Sequence, residues 1–459
     1  MRALLALICV LGFAPSWAAN MSESPSGSRT SQLRDLELLR RYVALDAAYS
    51  NVQRSLALQA ISESEVGAGK WSAAEFELQV ARVVALADNG HSAVWGGPRS
   101  RRMNRLPLRL MLFVDGVFVV RAKGAGVTAL GLRVNDVDGV PTADVLQRLR
   151  SYRGGPNNLR DYGNVDLLES PQLLQAAGIA HSDHELTLAV GNQMHAAKLV
   201  LSALPADPSE PPVRRLRYLS AEPLPNEGVE WRSAFPSQPA PLWLQQPDQA
   251  FRIVLVPELA AVYLQLKTNT DAEHGELIGS FLARAKRVIA ETRPQNVILD
   301  MRFDGGGDYT KTAAFMSMLP TMILDPGKVF VITHTTTFSA GISSVGFVKQ
   351  ASPQRVAIVG EPSGDRLVFY GEPRDLVLPN SGIGLSYATG LHDYLHGCRW
   401  FGPCYWVNWF YPIAVATLEP QLVAPLSFEL VASGRDPAME AISIALPRTA
   451  YLLERCFGD

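Results

Sequence analysis

Two stretches of this 459-residue chain have residue types suited to chemistry: a serine among small residues, Thr337-Phe338-Ser339-Ala340-Gly341, and a glycine run, Asp304-Gly305-Gly306-Gly307. Acyl transfer needs a nucleophile and, beside it, N–H groups that hold an oxyanion. The glycines let the backbone turn sharply and aim N–H groups outward. Ser339 stands where a strand pattern gives way to a helical one, which puts its hydroxyl at a helix N-terminus. The expected oxyanion donors are the backbone N–H groups of Gly306 and Ala340.

A serine also needs a proton acceptor. His334 precedes it closely, but in an extended segment the two lie roughly 16 Å apart at about 3.3 Å per residue. That is beyond hydrogen-bond reach unless a tight turn over residues 335–337 brings them together. His91, in Asp88-Asn89-Gly90-His91-Ser92, is by itself a loop residue after a helix, for which solvation is the ordinary role. His392, His396, Cys398 and Cys404 allow two readings. They are four zinc ligands if the histidines share a helix face, or Cys398 and Cys404 close a short disulfide loop in an exported protein. The disulfide is the expectation, with no metal and no cofactor.

The elements that must position these residues are legible around them. Val297 to Leu299 and Val329 to Ile332 are short apolar runs bounded by turn residues and followed by helical patterns, as in parallel βαβ units. Phe251 to Val256 and Ala260 to Leu266 are strand-like, and Glu276 to Thr292 reads as a helix leading into the glycine run. This order predicts an α/β core with its ligands at the strand C-termini.

With these residues in place, the sequence resembles the tail-specific or C-terminal processing serine peptidases, a family that includes tricorn protease. The family's D-x-R-x-N-x-G-G is matched by Asp300-Met301-Arg302-Phe303-Asp304-Gly305-Gly306-Gly307, with Asp304 in place of Asn. Its nucleophile turn is matched at Phe338 to Gly341, and its V-x-G-E-P at Ile358-Val359-Gly360-Glu361-Pro362. The resemblance implies a crotonase-like or ClpP-like catalytic core and a peptide or protein substrate. The lysine base of the family's G-E-P-x-x-G-K is missing, because the chain continues Ser363-Gly364-Asp365-Arg366 and an arginine keeps its proton. In the tricorn-like branch the histidine of a D-x-H-T element is the base, and His91 resembles it. Glu419, in Leu418-Glu419-Pro420-Gln421-Leu422-Val423, falls where that branch has a catalytic-network glutamate. The resemblance thus implies Ser339 as nucleophile, His91 as base and Glu419 as its partner. A catalytically silent peptide- or ligand-binding member and an esterase-like acyl hydrolase are the alternatives.

The rest of the chain frames a multidomain α/β protein. Residues 1–19 read as a cleavable secretory signal, with an apolar stretch from Ala3 to Phe13 too short to span a bilayer. No later apolar run spans one either, so a periplasmic or secreted product is expected. Residues 20–95 form an N-terminal helical cap, with helical spacing from Ser31 to Ser62 and a capping box at Ser72-Ala73-Ala74-Glu75 announcing a second helix. Residues 96–202 are β-rich and resemble a PDZ-like module, with strands expected over Met111 to Val120 and Gly131 to Val137 and a helix over Thr142 to Arg150. Residues 203–247 are a Pro-rich connection in which Trp231 and Trp243 suggest packing. Residues 248–459 are the catalytic region. The net charge of −2 offers no electrostatic reason for nucleic-acid binding.

Overall fold

The computed structural model describes residues 28–446 except 96–98, 192–195, 226, 236–239, 274, 400 and 401. The signal-like stretch, Cys9 and Cys456 lie outside the described residues. No helix among the described residues is long and apolar enough to cross a membrane.

The helical spacing after Ser31 resolves into two helices, Arg29–Leu45 and Asn51–Gly67, instead of one continuous helix. The break has a local cause. Asp46 ends the first helix and its carboxylate accepts the Ala48 N–H. Ser50 and Gln53 then form a reciprocal capping box that starts the second. The third helix, Ala73–Ala85, opens on the Ser72/Glu75 capping box as expected. Its apolar face and those of the first two share a core with Leu378, Ile383 and Leu385. Those three residues belong to a hairpin, Arg374–Val377 and Gly384–Tyr387, that pairs with the strand Ala93–Trp95. The cap is therefore built against a distant segment of the chain, which fixes where the loop after Ala85 is delivered.

The middle region is an antiparallel sheet in the order Leu108–Phe113, Gly116–Ala122, Arg133–Val137, Glu185–Gly191, Ala196–Ser202. The single strand expected over Met111 to Val120 is a hairpin. Val114 and Asp115 form its turn, Gly116 takes a φ of 130°, and the Asp115 carboxylate accepts the Phe428 N–H. The helix Thr142–Leu149 lies where the sequence predicts one. The Pro-rich segment packs between domains. Leu216, Tyr218, Phe235 and Trp243 share a core with Met111 and Phe113 of the middle sheet and with Leu426 and Val431.

The region after residue 247 centres on a six-stranded sheet in the order Leu422–Val423, Val356–Gly360, Val329–Thr333, Asn296–Asp300, Ala261–Leu266, Phe251–Val256. The last pair is antiparallel and the others are parallel. Val297, Ile298, Leu299, Val329, Val331 and Ile332 are fully buried, as continuous apolar strands covered on both faces should be. The helix Ala340–Ala351 is buried along nearly its whole length, so its N-terminus is held rigidly at the strand ends.

At one strand end, Arg302 forms paired hydrogen bonds with Asp300 and with Asp436, which caps the helix Pro437–Ala445. Trp243 covers its guanidinium at 4.6 Å, and the Tyr263 hydroxyl completes the Asp300 carboxylate. Arg302 of the D-x-R motif is thus a structural tie. Arg302→Ala leaves two buried carboxylates facing each other and is expected to cost about 3–5 kcal/mol, read as a lowered midpoint in denaturant unfolding.

Candidate active site

Ser339 caps the helix Ala340–Ala351 with φ 54° and ψ −125°, a conformation that L-residues adopt only when the surroundings enforce it. What enforces it is visible on both sides. Upstream, the Thr337 hydroxyl donates to the Met301 carbonyl, the Phe338 N–H donates to the Asp304 carbonyl, and Thr336 bonds Arg302. Downstream, Asn269 donates to the Ala340 carbonyl and to Ser344 Oγ, fixing the first turn. This is a sharp, strained strand-to-helix turn of the kind that presents a nucleophile.

The glycine run reaches the serine directly. Gly306 has φ 116°, and a Cβ there would lie 2.7 Å from Ser339 Cβ and 3.3 Å from the Ala340 nitrogen. Only glycine fits. The expected donors Gly306 and Ala340 are therefore neighbours, but the Gly306 N–H is engaged: it donates to Asp304 Oδ1 at 3.0 Å. Asp304 is fully buried, its Oδ2 has no hydrogen-bond partner, and burial pushes its carboxyl up to about 8.

His91 is brought to the same place from far upstream. Its ring stacks on Phe338, the residue before the serine, with centroids 4.3 Å apart, and on Phe369 at 5.5 Å on the other side. His91 is 6% exposed, and burial first, then the nearby His392, push its imidazole down to about 3, so it is neutral over the working pH range. Neither ring nitrogen has a hydrogen-bond partner among the described residues, so His91 and Ser339 are juxtaposed through Phe338 without a bond between them. Catalytic hydrogen bonds commonly form only once substrate is in place.

The carboxylate facing His91 is Asp365, with Oδ2 3.8 Å from Nδ1. Burial pushes the Asp365 carboxyl up to about 7, and its Oδ2 is likewise without a hydrogen bond. Gly90 makes the approach possible, since a Cβ there would sit 2.6 Å from Asp365 Oδ2 and 2.9 Å from the Phe338 ring. Three unpartnered buried polar atoms on one His–Asp pair are costly in a fold selected only for stability.

Glu419, the partner that the resemblance implies, is not there. It lies exposed in the loop before Leu422–Val423, and it makes no hydrogen bond to His91. The loop is short and immediately joins the edge strand, which keeps the side chain on the outside of the sheet. Asp365 is not legible as the partner of His91 in the sequence, because most of the chain separates the two. The available signal was that it directly precedes the arginine standing in the lysine position.

That arginine has a definite role. Arg366 donates to the Asp88 carbonyl and pairs with its carboxylate, which Arg160 also holds. Asp88 takes a left-handed turn after the cap helix, with φ 48°. Arg366 and Arg160 therefore anchor the loop that presents His91. Both partners of the Arg366 pair are partly exposed, so Arg366→Ala is expected to cost at most about 1 kcal/mol of stability. It should lower turnover less than tenfold, measured as kcat/KM alongside thermal unfolding.

His334 is occupied elsewhere. The chain does turn tightly after it, but its Nδ1 accepts the Thr336 N–H within that turn and its Nε2 faces Glu361 at 3.6 Å. Glu361 in turn accepts the Leu426 N–H. Cys398 and Cys404 form a disulfide. His392 lies in the strand Gly390–Asp393, buried against Tyr394 and Glu372, whereas His396 is exposed and paired with Asp393. The two histidines do not share a face, and no group of metal-ligating side chains occurs among the described residues.

Comparison with known proteins supports the architecture. No family model and no curated protein matches the chain. Among solved structures, mature CPAF complexed with lactacystin aligns over 91% of this chain and 97% of its own, at 14% identity and a TM-score of 0.57. A second structure of mature CPAF aligns over 90% and 96%, at 14% identity and a TM-score of 0.54. A photosystem II D1 C-terminal processing protease aligns over 90% and 97% at 14% identity, with a TM-score of 0.36. The shared feature is the multidomain α/β fold.

Proposed function

We propose that this protein is an exported serine peptidase that works through Ser339, His91 and Asp365. One observation carries the reading. Segments far apart in the chain converge on Phe338 and the strained serine after it at a helix N-terminus, Gly306 against Ser339 itself and Gly90–His91 and Gly364–Asp365 against Phe338 and each other, where they leave buried polar atoms unpartnered.

In this reading Ser339 Oγ attacks the scissile carbonyl and His91 Nε2 takes its proton. Asp365, on the Nδ1 side, steadies the imidazolium that forms, and His91 returns the proton to the leaving amine. The oxyanion develops at the N-terminus of the helix Ala340–Ala351, where the Ala340 N–H and the positive end of the helix receive it, and Gly306 contributes as Asp304 shares its N–H. The resemblance to the processing peptidases supports peptide over ester substrates. The signal-like N-terminus and the Cys398–Cys404 disulfide support export.

The test is labelling of the purified protein with a fluorophosphonate, together with peptide turnover followed by mass spectrometry. Wild type should label and turn over, and Ser339→Ala should do neither. A protein that folds but never labels is a silent binder, and one that hydrolyses esters but no peptide is an acyl hydrolase of another kind.

A further inference from the structure

A cavity of about 670 Å³ opens beside the nucleophile, walled on one side by Gly305, Gly306 and Phe338 and extending beneath the middle region. Seven cationic and three carboxylate side chains line it, an imbalance that demands an account. Four of the cations are matched: Arg105, for example, pairs with Glu169 and Glu210, and Arg215 with Asp166. Arg153, Arg214 and Lys267 have no carboxylate partner among the described residues.

None of the three is in an ion pair among those residues: Asp166 and Asp365 act on Arg153, Asp304 on Arg214, and Asp300 and Asp248 on Lys267 only at longer range. Arg153 lies over Gly163, where a Cβ would be 2.5 Å from its Nε, and that Nε is buried without a hydrogen bond. Burial first, and then the charge of Arg99, push its guanidinium down to about 10, so an anion beside it would be welcome. Arg214 donates to the Lys267 carbonyl, and Lys267 donates to the carbonyls of Gln246 and Pro247. Those two carbonyls hold the Lys267 ammonium in place, and burial pushes it down to about 8. A partly enclosed space with seven cations to three carboxylates and a buried guanidinium nitrogen left unbonded favours a ligand that brings negative charge with it.

We infer that this cavity is a specificity site for peptides carrying an acidic side chain close to the scissile bond, with Arg153 as its principal contact. The inference deepens the peptidase reading and rests on it, but its test is made independent of catalysis by measuring binding to the Ser339→Ala protein.

The probes are the fluorescein-labelled peptide Ala-Ala-Leu-Glu-Leu-Ala-Ala and its counterpart with Gln for Glu, each with a free or an amidated C-terminus, followed by anisotropy at low salt. A charge-assisted contact predicts that the Glu peptide binds about tenfold or more tightly than the Gln peptide. Arg153→Gln should erase that difference, Arg153→Lys should restore part of it, and amidation should leave it intact. Equal affinity for Glu and Gln, no binding of either, or binding that depends only on the free C-terminal carboxylate would each overturn the inference. Failure of Ser339 to label with fluorophosphonate would instead sink the peptidase reading and leave these binding results standing.

Discussion

Asp365→Asn is expected to lower kcat/KM for peptide hydrolysis by about 1000- to 10,000-fold while leaving the fold intact. The carboxylate faces His91 Nδ1, so in its ionised form it favours the tautomer with the proton on Nδ1 and leaves Nε2 open toward substrate. An amide in the same place can offer its NH₂ group to Nδ1, which reverses the tautomer and removes the acceptor. Because burial pushes the Asp365 carboxyl up to about 7, the group is protonated below that pH and ionised above it. Wild-type activity should therefore fall as pH drops through about 7, and the residual activity of Asp365→Asn should lack that acid limb. The imidazole, pushed down to about 3, stays neutral throughout and is not the source of the limb. Glu419→Gln is the control. It alters an exposed side chain outside the site and should change kcat/KM by no more than about twofold. A profile of kcat/KM against pH for the three proteins decides the matter, and an Asp365→Asn enzyme as active as wild type would remove Asp365 from the mechanism.

The contrast between Asp365 and Glu419 shows what was readable in the amino-acid sequence. Features set by local chemistry were legible: the apolar strands at 297–299 and 329–332, the serine at the strand-to-helix turn, the Ser72 capping box and the glycine run all lie where their patterns put them. The Ser50/Gln53 box is equally local, and it marks the break in the long helical stretch. Partnerships between distant segments were not legible, because no periodicity or spacing links Asp365 to His91, Asp88 to Arg366, or the cap helices to Leu378 and Leu385. Trp243 illustrates the intermediate case. Its place in a Pro-rich stretch suggested packing, but only the fold reveals that it covers the buried Arg302.

The departure at Asp304 makes the other large prediction, which concerns alkaline pH. Where the resemblance expects an asparagine, this chain buries a carboxyl whose Oδ1 accepts the Gly306 N–H and whose Oδ2 has no partner. Burial pushes it up to about 8, so it is neutral below that pH and ionised above it. In the neutral form the oxygen is a modest acceptor, and Gly306 can turn its N–H to a developing oxyanion. The ionised form binds that N–H more strongly and also sets a negative charge beside the place where the substrate oxygen becomes negative. Loss of a single such donor costs about 100- to 1000-fold in rate, so wild-type kcat/KM should decline by that order as pH rises through about 8. Asp304→Asn has the same shape and cannot ionise. It should match wild type near neutrality and hold its rate through the alkaline range, where wild type fails. An alkaline decline with the same midpoint in both proteins would assign the loss to another group, and an Asp304→Asn enzyme inactive at every pH would mean that the proton of Asp304 itself takes part in the reaction.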